Sequence, residues 1–182
     1  MSKTLRVAVI GLAGCGKSTC ASLIEEFAAA RGLRYGRVKL AQPLYELQSQ
    51  VYRVARVPIA DGAQDQILME ALATALRRIR PESLAEDFLD RLDRTDADIV
   101  VNDDLRDPYI DAVALRARSF RVIRVTADQD VRATRLAGRG DPTRTDGSTA
   151  QLDLIEPDVV IDNSAELDAY RRTVHDLLGS WL

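Results

Sequence analysis

The stretch Gly11-Leu12-Ala13-Gly14-Cys15-Gly16-Lys17-Ser18 decides how this chain is read. It matches the pattern G-x-x-x-x-G-K-[ST], and both flanks suit it. Before it, Leu5-Arg6-Val7-Ala8-Val9-Ile10 is the short apolar, β-branched run of a buried strand. After it, Cys20, Leu23, Ile24, Phe27 and Ala28 recur on one helical face, and Gly32 is placed to stop the helix. Glycines let a turn aim its N–H groups at a phosphate without a Cβ in the way. The helix that begins there adds roughly half a positive charge at its N-terminus. A lysine at position 17 then reaches β- and γ-phosphates, and a hydroxyl at position 18 suits Mg²⁺. The motif therefore predicts binding of a nucleoside triphosphate, with Gly11, Ala13, Gly14, Cys15, Gly16, Lys17, Ser18 and Thr19 as the contact set.

Working outward, 182 residues suit a single domain, 1–182, with room for a sizeable core. The net charge of −3 offers no long-range attraction to nucleic acid or to an anionic membrane, so neither is expected as a partner. No apolar run approaches the length that spans a bilayer, and the N-terminal run is too short for a signal peptide. The only cysteines, Cys15 and Cys20, project differently, which fits free thiols and a cytoplasmic setting. A helix N-terminus lowers a thiol pKa, so a redox role for Cys15 is the alternative to a merely small loop residue. Lysine occurs only at positions 3, 17 and 39, and no Asn-Lys-x-Asp guanine-recognition motif exists. A GTPase switch is disfavoured.

The pattern alternates strands and helices, predicting an α/β fold of three layers around a mostly parallel five-stranded sheet. Expected strands are the opening run, Gly36–Leu40, Ile99–Asn102, Arg121–Thr126 and Val159–Ile161. Residues 41–96 read as a helical insertion: Pro43 opens a helix carrying Leu44, Leu47, Val51 and Val54, Ile67 to Leu76 mark a second, and Pro81 starts a third. A helix around Asp107–Arg118 and one capped by Asp128 follow. Residues 132–148 form an arginine-rich segment running into a Gly/Pro/Asp loop. The last helix is expected to turn Leu167, Tyr170, Val174, Leu177 and Trp181 inward, with His175 at the surface.

Four stretches together resemble the P-loop nucleoside and deoxynucleoside monophosphate kinases, especially the phage and bacterial deoxynucleoside monophosphate kinases, with dephospho-coenzyme A kinase as a relative. They are the loop Gly11–Ser18, Leu40-Ala41-Gln42-Pro43-Leu44, the strand Ile99–Asn102 with Asp103-Asp104-Leu105-Arg106-Asp107-Pro108, and Ser148 through Asp158-Val159-Val160-Ile161-Asp162-Asn163-Ser164. Asp107 stands where that family has an aromatic residue, and Thr149 where it has an acid.

The resemblance implies an ATP-dependent phosphotransferase with the P-loop NTPase fold, a helical acceptor-binding insertion at 41–96 and an arginine-rich lid at 132–148. ATP and Mg²⁺ are the implied cofactors, a small-molecule phosphate acceptor the implied partner, and the chain a monomer or homodimer. Ser18 and Asp104 would hold the metal; Asp104 would alternatively take a proton, with Asp103 its competitor and simple helix capping the plain reading. Arg106 would grip the acceptor phosphate, its planar fork suiting a bidentate contact. Gln42 and Arg78 would also face the acceptor, with Arg77 the alternative at the same helix end. Lys39 and Tyr45 lie where its base or sugar would rest. Arg135 and Arg139, one helical turn apart and in line with Arg132, would close on the transferring group, and Asn163 would contact the nucleotide. Dephospho-coenzyme A or another metabolite is the alternative acceptor. A regulatory ATP-binding module is the alternative from another class, against which the Asp104/Arg106 pair and the arginines count.

Overall fold

The computed structural model describes residues 4–60, 62–137 and 151–182. β1 (Leu5–Ile10) runs into the glycine loop and α1 (Lys17–Ala30), and α1 leads to the short β2 (Tyr35–Arg37). Three helices follow, α2 (Gln42–Ala55), α3 (Gln66–Ile79) and α4 (Ser83–Asp93), before β3 (Ile99–Asn102). The chain then passes through α5 (Asp111–Ala117), β4 (Arg121–Thr126), α6 (Gln129–Ala137), a 3₁₀ turn at Leu152–Leu154, β5 (Val159–Asp162) and α7 (Leu167–Trp181).

All five strands pair in parallel in the order β2-β3-β1-β4-β5. β1 is flanked on both sides, Leu5 opposite Ile99 and Val7 opposite Arg121. The period-two alternation of a strand sorts its side chains between two cores. Val7 and Val9 of β1, Ile99 and Val101 of β3, and Ile123 and Val125 of β4 join α1 and α7 on one face. Ala8, Ile10, Val100 and Val122 meet α4 and α5 on the other, where Phe88 and Phe120 lie 5.8 Å apart. Phe88 is fully buried. Phe88→Ala is therefore expected to cost about 3–5 kcal/mol in urea unfolding, from lost transfer energy and the cavity left behind; a loss under about 1 kcal/mol would mean α4 does not close this core.

Several expected boundaries moved for identifiable reasons. β2 stops at Arg37 rather than reaching Leu40, because the Asp104 carboxylate takes the N–H groups of Leu40 and Ala41 at 2.9 and 3.0 Å. α5 begins at Asp111 rather than Asp107, since the Asp107 carboxylate accepts the N–H groups of Tyr109 and Ile110 ahead of it. α1 ends as expected: Gly32, at φ +65°, closes a Schellman turn in which Leu33 N–H reaches Ala28 O and Gly32 N–H reaches Ala29 O. On α2, Val51 and Val54 are exposed, and the buried pair is Leu44 and Gln48. Gln48 is tolerated there because its amide donates to Ala63 O and accepts from Asp65 N–H. On α7 the buried residues are Tyr170, Val174 and Leu178, while Leu167 is half exposed. His175 is half-buried rather than free at the surface: its Nε2 lies 3.1 Å from Leu23 O and its ring meets the Phe27 ring at 67°.

Candidate active site

In a parallel sheet, loops at the carboxyl ends of the strands gather where successive connections diverge. Here β1 leads away towards β2 and its neighbour β4 leads the other way to β5, and the glycine loop sits at that divide. Gly11, Gly14 and Gly16 all have positive φ, at +147°, +78° and +104°. Space as well as torsion excludes larger residues: a Cβ on Gly11 would lie 2.3 Å from Val125 O, and one on Gly14 2.8 Å from Arg132 O. The Lys17 ammonium donates back to Gly11 O at 2.8 Å and to Leu12 O at 3.2 Å.

Beside this loop opens a cavity of about 400 Å³. Ala13, Gly14, Gly16, Lys17 and Ser18 of the loop line it, as do Asp103, Asp104 and Arg106 just after β3. The far wall comes from the start of α2, α3 and α4, with Leu44, Met69, Ala73 and Leu84 as apolar surface. Leu44, Met69 and Leu84 pack on one another as a small core separate from the two flanking the sheet. Tyr45 stands beside them, accepting a hydrogen bond from Gln64 at 2.6 Å, with the Lys39 ammonium 5.1 Å from its ring centre. Burial pushes the Tyr45 phenol up to about 12.

The two adjacent aspartates are held differently. Asp103 is buried and ion-paired with Arg37. Asp104 accepts from Leu40 and Ala41 N–H and from the Asn102 amide at 2.7 Å. Burial raises the Asp104 pKa despite those hydrogen bonds. Asn102, fully buried, also donates to Val38 O and accepts from Leu105 N–H, so it shapes the turn that presents both carboxylates. Asp111 is likewise buried and pairs with Arg77 at 2.7 Å.

Several sequence expectations therefore change. Arg77 lines the cavity and Arg78 is exposed away from it, because neighbours on a helix point about 100° apart. Gln42 is not in the lining; its amide donates to Glu46 at 3.0 Å. Thr19 is exposed and outside the lining, while Gly11 and Cys15 face a smaller cavity of about 200 Å³ behind the loop, shared with Arg124, Thr126 and Arg132. Cys15 is almost wholly buried and burial raises its thiol pKa, the opposite of what a redox thiol needs. Asn163, also buried, does not line the cavity and donates to Cys15 O at 2.9 Å. Arg135 is exposed on α6 and outside the lining. Arg139, Arg144 and most of the proposed lid lie outside the described residues. The sequence reading missed Arg37, the turn-shaping role of Asn102, Glu70 in the lining, the pairing of Arg77 with Asp111, and the contact of Arg132 with the loop. Arg37, Arg77 and Arg132 act through partners remote in sequence, which periodicity does not reveal. Among the described residues no cluster of three His, Cys, Asp or Glu side chains is built to hold a metal, and no helix is long and apolar enough to cross a membrane.

No protein-family model and no curated protein sequence matches this chain. Solved structures do. Shikimate kinase from Acinetobacter baumannii in complex with shikimate superposes with a TM-score of 0.57 at 11% identity, covering 98% of this chain and 95% of that one. A sugar kinase from Janibacter sp. gives 0.52 at 22%, covering 98% and 94%. APS kinase from Mycobacterium tuberculosis, in complex with AMPPNP and APS, gives 0.52 at 17%, covering 97% and 99%. The chain has the fold of the small P-loop kinases.

Proposed function

We propose that this protein is an ATP-dependent nucleotide kinase, which moves the γ-phosphoryl group of ATP to a nucleoside monophosphate. The observation that carries this reading is a single cavity bounded by the phosphate loop, by Asp104 and Arg106 at the end of β3, and by the helical block α2–α4. Phosphoryl transfer needs donor and acceptor in line within one water-poor space. Lys17 would draw charge from the β- and γ-phosphates, and Arg106 with Lys39 would hold the acceptor phosphate. The wall of Leu44, Met69 and Leu84 beside the Tyr45 ring suits the flat face of a base. Ser18 and Asp104, both hard oxygen donors lining this cavity, fit Mg²⁺, which neutralises phosphate charge when bound. The likeness to small-metabolite kinases supports the reaction class through the fold alone.

A second reading has its own observation. Glu70, Asp103, Asp107 and Asp111 also line the cavity, and carboxylates suit the hydroxyls of a small polyol or acid. ADP release should be measured across ribo- and deoxynucleoside monophosphates, a hydroxymethylated pyrimidine nucleotide, dephospho-coenzyme A, shikimate and gluconate. Stimulation by a nucleoside monophosphate is the expected result. Stimulation by only a hydroxylated metabolite or dephospho-coenzyme A moves the assignment to that acceptor; ATP binding without any stimulation leaves a nucleotide-binding module.

A pH prediction follows for Asp104, whose ionised form the chemistry uses. With its pKa raised above the ordinary 3.8, kcat/KM is expected to fall on acidification before pH reaches 3.8. The stability sign is opposite: a folded-state pKa above the unfolded one means folding gains from this group as pH drops through the folded value. Asp158, held low by Val122 N–H and Arg116 against its partial desolvation, contributes stability above its ordinary 3.8 and loses it as pH falls from there through the folded value. Activity should therefore fail before thermal stability does; an acid limb at or below 3.8 would exclude Asp104 from the chemistry.

A further inference from the structure

We infer that Asn163 and Arg132 are positioning residues that aim the amides of the phosphate loop by holding its carbonyls from behind, an inference resting on the phosphate-binding reading above. The Asn163 amide donates to Cys15 O at 2.9 Å, and Arg132 Nε donates to Ala13 O at 2.9 Å. Neither side chain lines the main cavity, whereas Ala13, Gly14 and Gly16 do. In a trans peptide the C=O of one residue and the N–H of the next point in opposite directions. Holding Ala13 O outward turns the Gly14 N–H towards the cavity, and holding Cys15 O outward does the same for Gly16 N–H.

Two further observations fix this arrangement. The place a Cβ on Gly16 would take is 2.2 Å from Asn163 Nδ2, so glycine at 16 makes room for the asparagine as well as for its own φ of +104°. Gly14 leaves the matching room for the Arg132 backbone, which seats α6 directly on the loop. Tyr170, buried on α7, adds a long contact of 3.4 Å from its hydroxyl to Gly16 O. The loop is thus pinned by Asn163 directly after β5, by α6 and by α7, all of which follow it in the chain. Amides already aimed need no reorganisation when an anion arrives.

The test uses the full chain, with Mg-ATP and inorganic tripolyphosphate as calorimetric probes. Asn163→Leu keeps the volume and removes the donor; Arg132→Met removes the guanidinium, and Arg132→Lys keeps a donor and the charge. Asn163→Leu is expected to weaken both probes by the same factor, about tenfold, as one lost hydrogen bond of roughly 1.4 kcal/mol implies. Arg132→Met should weaken both, and Arg132→Lys should recover most of the loss. If Asn163→Leu fails to fold by circular dichroism, Asn163→Ser, which retains a hydroxyl donor, takes its place with a smaller loss expected. Weaker ATP binding with tripolyphosphate unchanged would mean Asn163 touches the nucleoside, and overturns the inference. So would unchanged affinity for both probes. A wild-type chain that binds neither probe overturns the phosphate-binding reading and this inference with it.

Discussion

Lys17→Ala is expected to lower kcat/KM for phosphoryl transfer by at least ~1,000-fold while the protein stays folded. The lysine lines the cavity beside Ser18 at the start of α1, and the proposed reaction needs a cation there on the outer phosphates. In a site that excludes water, one preorganised cationic donor on developing charge is worth several kcal/mol, which sets this magnitude. In the present structure its ammonium satisfies the Gly11 and Leu12 carbonyls. These contacts are partly exposed, so their loss should cost no more than about 1 kcal/mol in stability. A coupled ADP-release assay and a thermal melt on the same sample separate the two effects. Near-normal transfer by the variant would refute the kinase assignment, and a collapsed melt would assign Lys17 to the fold.

Arg106→Ala should leave ATP affinity intact and raise the acceptor KM about 100-fold, with Arg106→Lys recovering only part. A guanidinium meets a phosphate with two parallel charge-assisted hydrogen bonds of roughly 1.5–3 kcal/mol each, and an ammonium cannot copy that fork. The position suits this role: Arg106 lines the cavity two residues beyond Asp104, together with residues of the loop and of α2–α4. Steady-state kinetics with each substrate varied in turn gives the split. An equal loss for ATP would move Arg106 to the donor side, and an unchanged acceptor KM would remove it from the site.

These expectations rest on features of unequal legibility. The loop and its flanks were readable because glycine spacing, a β-branched run and a helical stripe are all local in sequence. The helix stop at Gly32 was readable for the same reason, since a positive φ at a helix end has few other occupants. The parallel sheet followed from strands alternating with helices. Choosing Arg78 over Arg77 failed because both suit a helix end electrostatically, and only packing against Asp111 decides which one turns inward. Leu44, Leu47, Val51 and Val54 share one side of α2 in the sequence, yet Val51 and Val54 are exposed, because periodicity marks a face without saying whether another element covers it.

Sequence alone therefore determined where the glycine loop falls and the order of the elements, because each depends on neighbours within a turn or a strand. Tertiary structure decided which side chains meet. Asp104 comes to hold the Leu40 and Ala41 amides, Asp103 to pair with Arg37, and Asn163 to reach Cys15 from 148 positions away. Those partners are assembled by parallel pairing of strands far apart in the chain, and short-range spacing holds no record of distances set across a sheet.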